Sequence, residues 1–288
     1  MALSTTLKAV TYMSGAIVSF SAMAVAGRAI SFELDTFEIM LFRSLVGFMT
    51  VLTIGYFAGS LKQITRRHMG LHLMRNVSHF TGQNLWFFAI TAAPLAQVFA
   101  LEFTSPLWVL MFSPLLLGER LTRMRVVAAL MGFVGILIVT RPTGDSLNIG
   151  VITAALSAIG FAGSAIFTKK LTRSETITCI LFYLTAMQAV FGLICAGYDG
   201  DIAIPSIASM PWLVLIAFAG LLAHFCLTTA LSLAPATVVM PVDFIRLPVI
   251  ATVGMLFYAE AIDVWVFVGA AIIFAGNYMN IWSETRKQ

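Results

Sequence analysis

The sequence predicts an all-α polytopic membrane protein with ten transmembrane helices, arranged as two inverted five-helix repeats. The first observation is composition: 60% of the 288 residues are hydrophobic and 10% are charged, whereas about 25% of residues are charged in an ordinary soluble domain. The second is a series of apolar runs that are each long enough to cross a bilayer. The third is an internal repeat that relates the two halves of the chain.

Ten apolar runs follow one another, separated by short polar segments. A helix needs roughly 20 mostly apolar residues to cross a hydrocarbon core about 30 Å thick. Asp35, Thr122 and Thr176 stand directly before three of the runs, and their side chains are of the type that accepts hydrogen bonds from first-turn N–H groups, so we expect them to be N-caps. The runs predict spans near residues 9–30, 37–57, 69–92, 95–117, 124–141, 149–169, 177–197, 211–233, 236–258 and 264–283.

The segment from Ala89 to Gly135 recurs without a gap when 141 is added to each residue number, and Glu102 then corresponds to another acid, Asp243. The offset predicts two halves, residues 1–145 and 146–288, with five spans in each. Because five is an odd number, the second half must enter the membrane in the opposite orientation. Inverted repeats are typical of secondary transporters, which bind their substrates near the bilayer midplane where the repeats meet.

Positively charged residues predict the orientation, since cytoplasmic loops carry an excess of Lys and Arg. With the N-terminus inside, only Arg28 and Arg141 fall on the outer side, and Arg43 and Arg246 lie within spans. We therefore expect a location in the bacterial cytoplasmic (inner) membrane with both termini in the cytoplasm. The cytoplasmic side then receives Lys8, Lys62, Arg66, Arg67, Arg75, Arg120, Arg123, Arg125, Lys169, Lys170, Arg173, Arg286 and Lys287.

Polar and ionisable residues inside the spans are candidates for the functional site, because such groups are costly in the membrane and mark substrate or ion pathways. The repeat brings Gln83 onto His224, Glu102 onto Asp243 and Ser105 onto Arg246, which predicts that they surround a shared axis. Aromatic residues near them are candidates for an apolar wall. The predicted substrate-binding residues are His79, Gln83, Trp86, Glu102, Ser105, Trp108, Phe161, Tyr183, His224, Asp243 and Arg246.

Structural interpretations of the same residues remain open. Asp243 and Arg246 are three residues apart on a helix and can form an ion pair that only fixes the packing. Trp108 lies mid-span and can be a core residue. Glu102 has no partner on its own helix, so Arg43, His79 or Arg246 must pair with it, or it takes up a proton because it is removed from water. One hypothesis is that Glu102 or Asp243, with a histidine, binds a substrate ammonium group or carries an exchanged proton.

Each half contains a helix that begins at a proline, Pro94 or Pro235, followed by a terminal acid, Glu119 or Glu260, and a helix of small residues. This arrangement, with the motif Gly118-Glu119-Arg120-Leu121-Thr122, resembles the EamA-type members of the drug/metabolite transporter superfamily over nearly the whole chain. The second half departs from the motif, since Ala261 follows Glu260 where the first half has an arginine.

The resemblance implies a ten-helix carrier that exports amino acids or other small metabolites. The likeness is greatest to bacterial exporters of hydrophobic and aromatic amino acids, so we expect export of these by alternating access. The alternative within transport is a larger aromatic metabolite or drug, such as a flavin, a nucleoside or a cationic drug. Expected partners are a small-molecule substrate, the lipid bilayer and protons, and no nucleic acid.

The sequence contains no phosphate-binding glycine loop, no His-Glu-x-x-His and no Gly-x-Ser-x-Gly motif, so an intramembrane enzyme is the least favoured class. We expect no cofactor and no metal site. A channel is a further alternative, but the sequence has no ring of charges or filter-like segment.

Overall fold

The computed structural model describes residues 5–30, 32–92, 95–140, 149–198, 200–258 and 264–286, and every regular element in these ranges is helical. Pro94, Arg141, Glu260 and Lys287 lie outside the described residues, as does the predicted boundary between the halves.

The helices agree closely with the predicted spans. The first half contains α1 (Thr5–Ile30), α2 (Thr36–Phe57), a short 3-10 helix (Leu61–Gln63), α3 (Met69–Ala92), α4 (Leu95–Glu102), α5 (Ser105–Leu117) and α6 (Arg123–Thr140). The second half contains α7 (Ile149–Leu171), α8 (Ile177–Ala196), α9 (Met210–Leu233), α10 (Ala236–Val239), a 3-10 helix (Met240–Ile245), α11 (Arg246–Tyr258) and α12 (Val264–Thr285).

Two predicted spans, the fourth and the ninth, are not continuous helices. The fourth is broken between α4 and α5 at Phe103 and Thr104, and the ninth changes to 3-10 geometry over Met240–Ile245. Adding 141 to the first break gives residues 244 and 245, so the two breaks are repeat-related. Pro106 and Pro241 have no backbone N–H, so neither can donate to the carbonyl group one turn earlier, as a residue of a continuous helix does. Discontinuous helices near the midplane are where transporters of this architecture bind ligands.

The most extensive helix contacts join one half of the chain to the other. α1 packs along α9, α3 along α7, α2 along α8 and α6 along α12. The 141 offset relates the α1–α9 pair to the α3–α7 pair. It also relates the two members of the α2–α8 pair to each other, and likewise those of the α6–α12 pair, as a two-fold pseudo-symmetry requires. The halves are therefore interlocked, and any movement that opens the interior must separate groups of helices drawn from both.

Five of the described helices, α1, α2, α7, α8 and α9, are long and apolar enough to span a bilayer by themselves, with mean hydropathy between 1.5 and 2.1 over their most apolar windows. α3 is as long as these but contains buried polar residues on one side. Such residues must face protein or water and not lipid. The polar helix is thus stabilised by its neighbours.

Side chains at the membrane surfaces hold the helix ends together. The predicted N-caps are confirmed: Asp35 accepts hydrogen bonds from the first turn of α2, Thr122 from Arg125 and Thr176 from Cys179. On the predicted cytoplasmic side Glu119 accepts the N–H groups of residues 236 and 237 at 2.8 and 3.1 Å. Glu119 of the first half therefore caps α10 of the second half.

Glu33, on the predicted outer side, makes a second connection between the halves. Its carboxylate accepts hydrogen bonds from the Ser209 hydroxyl, the Ser206 N–H at 2.5 Å and the Ser206 hydroxyl at 3.0 Å. These donors hold the pKa of Glu33 below its usual value, with the Ser209 hydroxyl contributing most. The acid therefore stays ionised at neutral pH and anchors the segment before α9.

Candidate functional site

A cavity lies among the two broken spans and α1, α3, α7 and α9, and the space between its lining atoms, open solvent included, is about 610 Å³. Twelve of its fifteen lining residues form repeat-related pairs at the 141 offset, namely Phe20 and Phe161, Met23 and Ser164, Gln83 and His224, Trp86 and Leu227, Glu102 and Asp243, and Ser105 and Arg246. The other three are His79, Ala165 and Met240.

The acids of the two repeats meet on one guanidinium group. Arg246 Nη2 donates to Glu102, and to Asp243 Oδ2 at 3.0 Å. The indole N–H of Trp86 donates to Glu102 Oε2 at 2.6 Å. Both oxygens of Glu102 are thus occupied. With both acids ionised, one cation faces two anions and the group carries a net charge of −1.

Aromatic rings enclose this charged group on its other sides. The Arg246 guanidinium lies 4.9 Å from the ring centroid of Phe103 and 5.4 Å from that of Phe20, within the range of cation–π attraction. Phe161 lines the cavity from α7, where Phe20 has its repeat-related position. A planar ligand would meet aromatic surface from both halves of the chain.

Two histidines lie edge to face on the neighbouring wall. The ring centroids of His79 and His224 are 4.5 Å apart at an interplanar angle of 86°. The Nδ1 atom of His224 lies 3.5 Å from a guanidinium nitrogen of Arg75. Since arginine can only donate, Nδ1 must accept, and a neutral His224 then has its proton on Nε2.

Several buried polar atoms around the cavity have no hydrogen-bond partner within the described part of the chain. Burial of such atoms without a partner is unfavourable, so they are available to water or to a ligand. They offer donors from amide, imidazole and guanidinium groups and an acceptor from a carboxylate. The atoms are His79 Nε2, Gln83 Nε2, Ser105 Oγ, His224 Nε2, Asp243 Oδ1 and Arg246 Nε.

Nine of the eleven predicted site residues line this cavity, and Trp108 and Tyr183 do not. Trp108 stacks on Phe112 of its own helix, with centroids 6.1 Å apart, beside a second apolar cluster. Tyr183 lies against His72, with centroids 4.5 Å apart. Whether any of the eleven binds a substrate is still a prediction.

Tyr183 borders a separate polar cluster at the beginnings of α3 and α8. The side chains of His72, Glu175 and Cys179 place one potential ligand atom each within 4.8 Å of one another. Glu175 accepts the Thr65 hydroxyl with both oxygens, at 2.9 and 2.8 Å. These contacts fasten the loop before α3 to the segment before α8.

Arg75 was expected among the cytoplasmic cations, but it is a residue of α3 and not of a solvated loop. Its side chain is 1% exposed and donates hydrogen bonds to Thr168 Oγ1 and Asn76 Oδ1 at 3.1 Å each. The cause is its position six residues into the helix, where a long side chain can turn towards the protein interior. Arg75 adds a second positive group to the inner polar region.

Six further residues line the cavity: Phe20, which corresponds to the predicted Phe161 at the 141 offset, and Met23, Ser164, Ala165, Leu227 and Met240, which were not predicted from the sequence. The repeat offset is the signal that could have found Leu227, since it corresponds to Trp86. The same offset joins Met23 with Ser164. Ala165 and Met240 have no such signal.

The interlocked helices, the paired helix breaks and the cavity between them define a polytopic membrane protein of the small-molecule transporter class. The chain belongs to the EamA-like transporter family, which matches residues 7–141 and 148–282. Each end of the second match lies 141 positions after the corresponding end of the first, and this is the offset of the internal repeat.

Relatives with different substrates resemble this chain. A riboflavin transporter of Brucella anthropi is 33% identical over 214 residues, which cover 73% of this chain and 75% of the relative. An S-adenosylmethionine uptake transporter of Rickettsia felis is 27% identical over 282 residues, covering 96% and 95%. A pseudopaline exporter of Pseudomonas aeruginosa is 28% identical over 257 residues, covering 88% and 89%.

The fold also resembles a solved crystal structure with a TM-score of 0.80 and 17% sequence identity, covering 97% of this chain and 98% of the other. That likeness concerns the fold alone.

Proposed function

We propose that the protein is a secondary carrier for a metabolite with a heteroaromatic ring system, of the flavin or adenosyl type. The single observation that carries this proposal is the cavity between the two broken spans. It combines the aromatic rings of Phe20, Trp86 and Phe161 with unpaired polar atoms at its edges. Apolar and aromatic walls with a few directed polar groups are typical of sites for such molecules.

The names of the relatives support this choice over the expected amino-acid export. The riboflavin and S-adenosylmethionine transporters both act on compounds that contain a heteroaromatic ring. Either direction of transport fits the proposal, because the relatives include an uptake transporter and an exporter. We place the protein in the bacterial cytoplasmic membrane with cytoplasmic termini, on the asymmetry of its loop charges.

Hydrophobic and aromatic amino acids are the second candidate. The observation that favours them is Asp243 Oδ1, a buried carboxylate oxygen without a partner among the described residues, which can accept an ammonium group. An apolar side chain would then lie against Phe161. These compounds would occupy only part of the cavity.

The proposal is tested with purified protein in liposomes, by counterflow of riboflavin, S-adenosylmethionine, phenylalanine and leucine. We expect saturable exchange of at least one of the two heteroaromatic compounds. Phe161→Ala should weaken it about tenfold, because loss of a stacking contact costs about 1–3 kcal/mol. Phe218→Ala, on the exposed side of α9, is the matched control. Exchange of the amino acids alone would reject the heteroaromatic substrate.

Coupling to protons is expected to depend on Asp243 more than on Glu102. Both oxygens of Glu102 accept hydrogen bonds, whereas one oxygen of Asp243 is free to bind a proton or a substrate cation. In liposomes with and without a pH gradient, Asp243→Asn should remove the effect of the gradient. Glu102→Gln should reduce flux while the gradient still changes it. Equal and fully pH-dependent flux in both variants would exclude proton coupling through either acid.

A further inference from the structure

A second, smaller cavity lies beside the central one, and the side chain of His224 lines both. Its walls come from α2, α8 and α9. The polar groups in them belong to Arg43, Ser44, Thr185, Gln188 and His224.

Arg43 is buried in this wall, and no acid of the described residues pairs with it. Its side chain is 6% exposed, and its hydrogen bond within the described residues is to the sulfur of Met23 at 3.5 Å. A thioether is a weak acceptor. Arg246 differs from it, since it pairs with two carboxylates in the central cavity.

Arg75 adds positive charge beside His224. Its hydrogen-bond acceptors are the neutral groups of Thr168, Asn76 and His224, and no ion pair with a carboxylate is found for it in the described ranges. These three bonds are sufficient for a structural role of Arg75. Arg43 has no comparable set.

A guanidinium group keeps its charge in proteins. A buried charge without a partner is strongly unfavourable, and in a membrane it must face a cavity, a counter-charge or both. The missing partner of Arg43 is therefore expected to be an anion that enters the smaller cavity.

His224 supports the same interpretation. With Nδ1 accepting from Arg75, its N–H is on Nε2, which has no partner among the described residues. The amide nitrogen of Gln188 donates to Asn76 O at 2.9 Å, and its amide oxygen has no partner among the described residues. That oxygen can accept from an acid group that retains a proton, such as a phosphate monoanion.

We propose that Arg43, with His224 beside it, binds the carboxylate or phosphate group of a compound whose remaining part occupies the adjoining central cavity. This proposal rests on the proposed function, from which the heteroaromatic part of the transported compound is taken. It adds that this compound has an acidic group at one end. The same oxyanion chemistry could come from a free inorganic anion bound next to a neutral substrate, and the experiment separates the two sources.

The first measurement compares riboflavin with riboflavin 5′-phosphate, which differ only by the phosphate, in binding and counterflow with liposomes. The wild type should favour the phosphate by about tenfold or more, the equivalent of one well-formed ion pair. Arg43→Gln should bring the ratio towards one, and Arg43→Lys should keep part of it. Arg67→Gln, which removes a charge from an exposed loop, should keep the wild-type ratio. If the anion is free, inorganic phosphate should instead raise riboflavin flux relative to chloride, in a manner that requires Arg43.

The second measurement does not depend on any heteroaromatic substrate. Sodium phosphate, compared with sodium chloride at matched ionic strength, should raise the unfolding temperature of the wild type and of Arg67→Gln but not of Arg43→Gln. If this holds while no heteroaromatic compound is bound or moved, the proposed function fails and the anion site stands. The anion site is overturned if neither measurement shows an anion effect in the wild type, or if Arg43→Gln behaves like the wild type in both.

Discussion

Replacing Arg246 with Gln is expected to abolish transport and to lower the yield and thermal stability of the folded protein. Arg246 is the partner of both Glu102 and Asp243. Its loss leaves two buried carboxylates facing each other with no cation between them. Removing one member of a buried ion pair costs about 3–5 kcal/mol, a large share of the roughly 5–15 kcal/mol that stabilises a typical folded protein.

A double variant shows whether the uncompensated charge is the cause. Glu102→Gln combined with Arg246→Gln removes one of the stranded carboxylates, so its unfolding temperature should lie above that of Arg246→Gln alone. Arg246→Lys keeps the charge but has a single nitrogen in place of the planar guanidinium, and should be intermediate. Equal unfolding temperatures for Arg246→Gln and the wild type, measured on detergent-purified protein, would show that the charged group contributes no stability.

The positions of the charged residues could be predicted because the repeat retains polarity. Gln83 and His224, and Glu102 and Asp243, occupy matching positions at the 141 offset, and all four line the cavity. A polar side chain inside an apolar span is a strong signal, since few are tolerated there. Leu227 lines the same cavity, but an apolar residue in an apolar helix has no such signal.

The helix breaks could not be predicted from hydropathy. An apolar run of twenty residues has the same composition whether its helix is continuous or interrupted beside Glu102. Pro106 and Pro241 were visible in the sequence, but prolines also occur within membrane helices whose freed backbone groups find other partners. The interruption follows from tertiary packing, which the run itself does not encode.

The two candidates that lie outside the cavity illustrate a further limit. Trp108 and Tyr183 are in α5 and α8, where polar residues are few. A helix with apolar residues on every side does not reveal which of them faces its neighbours. In α3 His79, Gln83 and Trp86 are spaced four and three residues apart, which puts them on one face of the helix, and all three line the cavity.

Replacing Gly160 with Ala is expected to lower the unfolding temperature, and replacing it with Leu to prevent folding. A Cβ atom at Gly160 would lie 2.7 Å from Gly82 Cα and 2.9 Å from both Gly82 N and Ser78 O. These are backbone atoms of α3, so no side-chain rotation can relieve the contact and the helices must separate. Overpacking of this kind costs about 1–3 kcal/mol for small additions.

The crossing of α3 and α7 also determines the shape of the cavity. His79 and Gln83 flank Gly82 in α3, and Phe161 follows Gly160 in α7, and all three line the site. Separating the helices would move His79 and Gln83 away from Phe161. Folded Gly160→Ala protein should therefore bind its substrate more weakly than the wild type.

Gly70→Ala is the control, because Gly70 is in α3, the helix that Gly160 contacts, and a Cβ there would meet no atom within 4 Å. Alanine is favoured over glycine in helices, so this variant should unfold at or above the wild-type temperature. Thermal unfolding in detergent, followed by substrate binding to the folded fraction, measures both effects. Equal unfolding temperatures for Gly160→Ala and Gly70→Ala would mean that the close backbone contact is not required, and that the separation of α3 and α7 is set by their other residues.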